Sequence, residues 1–320
     1  MTIAIIGAGL VGSQISRILA EQGRRHMIMD VAPNMTALAD IADVTKTTVD
    51  RGDIKNPWDI LRIFREHKIE DVILTAANPM LTRGAQQNPY SAIELNIMGT
   101  TNVLEAARIT GVRRVVAASS SVLTVNIEGG EDKGDPNKEE AFPRPTTFYA
   151  TTKQALEGIA LNYTRWLNLD TRIVRFAAVS GPWLAGGGGG STQLFREAVE
   201  NAMSGAREVE LPIAVEWVYS KDAARASVLA LDATVDKYRV FNISGGPTAS
   251  TREFASTLQK LFPKVRLPKS LDALSNDVGT NPGRDRSRAE KVIGYKPEYP
   301  LEAAMRDMAG WIESHQRKAG

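Results

Sequence analysis

Ile3-Ala4-Ile5-Ile6-Gly7-Ala8-Gly9-Leu10-Val11-Gly12, running into Ser13-Gln14-Ile15-Ser16-Arg17-Ile18-Leu19-Ala20, organises the rest of the chain. The apolar run Ile3–Ile6 reads as a strand buried on both faces, and Ile15, Ile18 and Leu19 recur at the spacing of one helix face. Between them, glycines stand at G-x-G-x-x-G spacing. Gly7 suits a tight turn, Gly9 removes a side chain where a pyrophosphate would approach, and Gly12 lets helix and strand pack closely. The helix start offers unpaired N–H groups and a positive dipole end to phosphates. A second strand, His26-Met27-Ile28-Met29-Asp30, ends in a carboxylate that suits the adenosine ribose hydroxyls and repels a 2′-phosphate. The pattern predicts an NAD site; the plainer reading of Asp30 is a loop cap.

The composition excludes several other classes. Hydrophobic residues make up 43% of the 320 and charged residues 24%, ordinary for a globular protein with a large core. The net charge of +2 is spread without a basic block, which argues against nucleic acid and membrane surfaces. With no cysteine there are no disulfides, thiolate metal sites or Cys nucleophile. His26, His67 and His315 lie outside any metal-ligand spacing, so no metal is expected. No apolar run is long enough to span a bilayer, and a first strand entered by Ile3 leaves no room for a signal peptide. The expected setting is the cytoplasm.

Strands and helices then alternate. Arg51-Gly52-Asp53-Ile54 fits the end of a third strand, with Asp53 either near an adenine edge or capping the next helix. Trp58–His67 reads as a helix, and Asp71–Ala77 as a strand ending in Thr75, Ala76 and Ala77, small enough to lie against a flat cofactor. A long helix over Asn88–Arg108 ends at Gly111, and the strand Val112–Ala118 closes with Ser119-Ser120-Ser121. This alternation makes right-handed β-α-β units and a doubly wound parallel sheet. After a charged insert at 128–140, read as a solvated loop, come a helix from Thr147 to about Leu167 and a strand over Thr171–Ala177. A helix from about Thr192, a strand at Val215–Tyr219, a helix at Lys221–Leu231 and a strand at Arg239–Ser244 follow. Helices over Thr251–Leu261 and Pro300–Ser314 complete a smaller lobe. The expected division is an NAD-binding domain over 1–178, to which 215–246 returns, and a substrate-binding lobe from 179–214 and 247–320.

The chemistry rests on Tyr149-Ala150-Thr151-Thr152-Lys153. At i and i+4, Tyr149 and Lys153 share one helix face. A tyrosine ordinarily loses its proton near pH ~10. A neighbouring ammonium, helped by an oxidised nicotinamide, would favour the phenolate and make it a usable base. Lys153 could also hold the nicotinamide ribose, and a hydroxyl of the serine run could orient a substrate oxygen. Taken alone the spacing also fits an amphipathic surface pair; downstream of a dinucleotide turn and a strand ending in serines, it reads as a site.

These stretches together resemble the extended short-chain dehydrogenase/reductases, the NAD-dependent epimerase/dehydratase group. Further matches are Asn96–Ala107, Arg175-Phe176-Ala177-Ala178-Val179-Ser180-Gly181-Pro182, Asp222–Ala226, Asn242–Gly246 and Ile293–Pro297. The resemblance implies an interleaved two-domain Rossmann fold, bound NAD and hydride transfer at a secondary alcohol carbon. It makes Tyr149 the acid/base, Lys153 its partner and Ser121 the orienting hydroxyl, with Ser120 the alternative. It also implies cofactor contacts from Leu10 and Val11 in the glycine turn, Ile54 beside Asp53, and Asn96, Ser119, Phe176 and Val179 further on. Asn78, Ser180, Trp183 and Ser191 would meet a small-molecule substrate. A homodimer through a four-helix bundle of the two long helices is the family arrangement.

Four departures bear on the substrate. Ile6 replaces a further glycine, and Leu123-Thr124-Val125-Asn126 replaces the usual Val-Tyr-Gly after the serines. Ala178 stands where nucleotide-sugar members resembling this chain place an Asn that helps hold the diphosphate, and Val215–Tyr219 replaces their Arg-Asp-Phe run. The Gly186–Gly190 run before Ser191 and Thr192 could present a helix start to a substrate carboxylate or phosphate, or be a lid without contacts. The first reading is therefore an NAD-dependent oxidoreductase acting on a sugar or sugar acid. The alternatives are a nucleotide-sugar epimerase passing through a transient ketone, and an NAD-sensing protein without turnover.

Overall fold

The computed structural model describes residues 1–77, 85–124, 138–139, 141, 143–185, 190–212, 216–269 and 283–319. Seven parallel strands form the main sheet: β1 (Thr2–Ile6), β2 (His26–Asp30), β3 (Thr48–Arg51), β4 (Ile69–Leu74), β5 (Arg114–Ser120), β6 (Asp170–Phe176) and β9 (Val240–Ile243). Their order is β3-β2-β1-β4-β5-β6-β9, so the direction of winding reverses between β1 and β4. A doubly wound sheet binds its ligands in that crevice, at the carboxyl ends of the strands. Ile3, Ala4, Ile5 and Ile6 are wholly buried because helices cover both faces. Ile3 and Ile5 join one core cluster with Ile15 and Leu19, while Ala4 and Ile6 join another with Leu104 and Ala107.

On one face lie α1 (Leu10–Glu21) and α8 (Ser220–Asp232), with α2 (Met35–Ile41) beyond α1; on the other lie α3 (Pro57–Glu66), α5 (Thr100–Thr110) and α6 (Phe148–Leu167). The long helix expected before β5 is interrupted. It begins as α4 (Pro89–Ile93), widens into a π-helical segment over Glu94–Gly99 and continues as α5. Such a segment reorients the side chains within it and recurs at functional sites. Gly111, at φ 76°, ends α5 in the left-handed conformation that suits glycine.

The smaller lobe holds the two-stranded parallel sheet of β7 (Ala178–Ser180) and β8 (Trp217–Tyr219), with α7 (Gly190–Ser204), α9 (Thr251–Leu261) and α11 (Leu301–Ala319). Its core is Phe195, Trp217 and Phe254, packed edge-on or tilted, with Met305 and Met308. The β8 strand pairs with β7 and not with the main sheet, so the return to the main sheet begins at α8 and ends at β9. The short helix α10 (Ser287–Ile293) was not foreseen from the sequence; its buried Ala289 and Ile293 join the core beneath α8. No helix among the described residues is long and apolar enough to cross a membrane.

Candidate active site

The glycine turn is built as its spacing predicts. Gly7 takes φ 108°, and a side chain there would meet the Ala76 nitrogen at 2.8 Å. A side chain at Gly12 would meet the Gly7 carbonyl at 1.9 Å, so helix and turn touch directly. Gly9 differs: a Cβ there would meet no protein atom within 4 Å, so the space it leaves is room for a ligand. The α1 helix starts with no side-chain cap and no acidic residue in its first turn, which leaves its N–H donors for an anion. Asp30 steadies the turn, accepting from the Ala8 N–H at 2.7 Å and the Ala32 N–H at 2.8 Å.

Around this turn lies a cleft of about 370 Å³, lined by Gly7, Gly9, Leu10 and Asp30, by Asp53 and Ile54, and by Thr75, Ala76 and Ala77. The loop Val31–Asn34 and Leu95 line it too and were missed; their position just past Asp30 and beside Asn96 was the available signal. The carboxylate of Asp53 accepts from the Lys55 N–H, and the cap of α3 is Asn56. Val11 and Phe176 pack in the core beneath the main sheet. Trp183, expected at the substrate, lines the cofactor cleft instead, packed on Leu10 and Ala37. Asn78 lies outside the described residues, as does the Ser191 side chain, while the Thr192 hydroxyl donates to the Val179 carbonyl at 2.6 Å.

At the carboxyl end of β5, Tyr149 and Lys153 are buried together, 8% and 3% exposed, which settles against a surface pair. The Lys153 ammonium donates to the Ala118 carbonyl at 2.9 Å and stands 5.8 Å from the centre of the Tyr149 ring. Burial lowers the lysine to about 8, against the opposing pull of the Glu157 carboxylate. The phenol moves opposite to expectation: burial raises it to about 12, outweighing a hydrogen bond from Ser120 that favours the phenolate. In the protein alone, desolvation outweighs the neighbouring ammonium.

Ser120, the alternative that the serine run left open beside Ser121, hydrogen-bonds the phenol in this structure. Ser119 takes a supporting position, donating to Glu157 at 2.6 Å. Glu157 in turn is clasped by Arg175 through two bonds of 2.8 and 2.7 Å, both side chains nearly fully buried. Losing either partner of such a pair typically costs about 3–5 kcal/mol. Asn96, in the π-helical segment, donates to Thr152 at 3.0 Å, which ties that segment to the helix carrying Tyr149. The Asn96 Oδ1 and the Ser180 hydroxyl are buried without a partner among the described residues.

The family model of the NAD dependent epimerase/dehydratase family matches residues 3–244. The chain belongs to this family. It is 26% identical over 325 residues to a UDP-glucuronate 4-epimerase of Thermodesulfobacterium geofontis, covering 96% of this chain and 94% of that one. Among solved structures it resembles a UDP-glucose 4-epimerase of Thermotoga maritima with UDP-glucose, at a TM-score of 0.79 and 22% identity, over 99% of this chain and 100% of that one. A GalE-like L-threonine dehydrogenase of Cupriavidus necator, in its holo form, matches at 0.79 and 25%, over 98% and 100%. Family membership makes the protein an NAD-dependent enzyme, and the open space at Gly9, the uncapped start of α1 and the Asp30 carboxylate fit that cofactor.

Proposed function

We propose that this enzyme oxidises a secondary hydroxyl of a small polyhydroxy substrate, a sugar or sugar acid, and releases NADH. The observation that carries the reading is the buried pair Tyr149 and Lys153 at the carboxyl end of β5, with the half-buried Ser120 hydrogen-bonded to the phenol. As a phenolate, which the Lys153 ammonium and the positive charge of bound oxidised NAD would favour over the neutral phenol of the protein alone, Tyr149 takes the hydroxyl proton at its phenolic oxygen. Ser120 donates to the same substrate oxygen and holds its carbon in line. Lys153 supplies positive charge beside the phenol, its ammonium held by the Ala118 carbonyl and its charge balanced by Glu157. NAD, when bound, supplies the acceptor for the hydride.

The small substrate is favoured by Ala178, which stands in place of a diphosphate-holding Asn, and by the run Val215–Tyr219, which stands in place of the Arg-Asp-Phe run of nucleotide-sugar members. The likeness to an L-threonine dehydrogenase supports the same choice, since that protein's named substrate is small. The epimerase reading draws on the UDP-glucuronate 4-epimerase likeness and uses the same three residues, with the hydride returned to the opposite face. A panel of free sugars, aldonic and uronic acids, hydroxy amino acids and UDP-sugars, with NAD and absorbance at the NADH band, separates them. NADH from a small compound supports the dehydrogenase. Conversion of a UDP-sugar without net NADH overturns it.

The family dimer is proposed as well. Tyr90 and Ile93 on α4, Met98 in the π-helical segment, and Trp166 and Leu167 on α6 are exposed apolar side chains of the two helices that a four-helix bundle would pair. An apolar hollow among Gly158, Ile159, Tyr163 and Trp166 lies on the same face of α6.

A further inference from the structure

We propose that Trp183 is a cofactor clamp: its indole, carried on the loop between β7 and α7, closes the dinucleotide cleft and strengthens NAD and NADH binding. The inference rests on the family's NAD dependence and on no particular substrate. Every described residue lining that cleft lies before position 96 except Trp183 and Ala185, so these two bring a wall from the other lobe. Trp183 is 7% exposed, packed on Leu10 at the start of α1 and on Ala37 of α2. Leu10 follows Gly9, the glycine whose missing side chain leaves the cleft its room. Asn34, the N-cap of α2, lines the same cleft.

The wall is braced from behind. Arg196 on α7 donates to the Trp183 carbonyl at 3.2 Å, and its guanidinium lies 5.2 Å from the Trp311 ring centre. Trp311 donates its indole N–H to Asp40 of α2 at 2.8 Å, and His315 meets the other oxygen of that carboxylate at 2.7 Å. The Trp183 loop is therefore fastened to the helix it leans on, through the C-terminal helix. Nothing among the described residues accepts a hydrogen bond from the Trp183 indole N–H, which leaves that donor for an acceptor on the ligand. A large, rigid aromatic side chain in such a place excludes water from the phosphates and ribose at little entropic cost.

The test is calorimetric titration of the full-length protein, and of Trp183→Phe and Trp183→Ala, with NAD and with NADH. Energy transfer from tryptophan to bound NADH is read in parallel. The alanine variant should bind both forms about tenfold more weakly and the phenylalanine variant about threefold more weakly, in line with truncating a central aromatic contact. In Trp183→Phe saturated with NADH, the transfer band should fall, because Trp183 lines the cleft, while the remaining signal comes from Trp217 and Trp311 in the smaller lobe and from the exposed Trp58 and Trp166. If the alanine variant does not fold, the phenylalanine variant decides. Unchanged Kd values and an unchanged transfer band in a folded variant would overturn the proposal and assign Trp183 to packing alone.

Discussion

Lys153 buried at the foot of the site should make the enzyme less stable than it needs to be, and Lys153→Met should reveal by how much. The ammonium is 3% exposed, and burial lowers its pKa from 10.5 to about 8. The folded state therefore favours the uncharged amine. Above the unfolded value of 10.5 neither state is charged and there is no penalty; as pH falls through that value the unfolded chain takes up a proton first. The penalty is complete below about 8 and amounts to about 3 kcal/mol at pH 7. Methionine has nearly the same shape but forfeits the bond to the Ala118 carbonyl, worth about 1 kcal/mol. The variant should thus be about 2 kcal/mol more stable at pH 7, equal near pH ~10, and about 1 kcal/mol less stable above that. Urea unfolding of both proteins from pH 7 to 10.5 reads this directly. A variant destabilised by the same amount across that range would show that the lysine is not strained by burial, and the reasoning would fail.

The other predictions are read in separate assays. Ser120→Ala should lower kcat roughly 10- to 100-fold, the loss of one hydrogen bond to a substrate oxygen, while Ser121→Ala stays within about threefold; the reverse order would restore the family register. Glu139 accepts N–H bonds from Asn242 and Arg288 and is 4% exposed, and burial raises it from 4.5 to about 7. Its neutral form suits the fold, so stability present below 4.5 is lost as pH rises to 7, by about 3 kcal/mol. The urea midpoint of Glu139→Gln should change less between pH 5 and 8 than that of the parent, and an identical slope would contradict this. Trp166→Glu places a charge on the proposed dimer face, and sedimentation should then show a monomer where the parent is a dimer; an unchanged species would move the interface elsewhere.

The sequence disclosed the fold because its signals were local and consistent. The run Ile3–Ile6 is buried on both faces, and the glycines at 7, 9 and 12 each stand where a side chain would strike the turn or fill the cleft. The helix bearing Tyr149 and Lys153 was placed within a residue of its limits, Thr147 serving as its cap. What escaped depended on distance. The choice between Ser120 and Ser121 turns on which way a strand end twists, and period-two alternation ceases where β5 passes into a 3-10 turn. Trp183 was expected at the substrate from the resemblance alone, yet its side chain packs on Leu10 at the start of α1 and on Ala37. The rise in the Tyr149 pKa was illegible because spacing reports a neighbouring charge but not the depth of burial that outweighs it. The π-helical segment at Glu94–Gly99 turns Asn96 and Gly99 inward and leaves Met98 exposed, a rotation that apolar spacing at helical period does not report.

The measurement that bears most directly on the account is product formed per NAD supplied. The enzyme, stripped of nucleotide, is given its best substrate from the panel and a limiting amount of NAD, with no system to regenerate it. A dehydrogenase that releases NADH yields one equivalent of ketone per NAD and then stops, and that is the result expected here. Many turnovers from each NAD, with an inverted substrate and no accumulating NADH, would show that the hydride returns before the product leaves and that the enzyme is an epimerase.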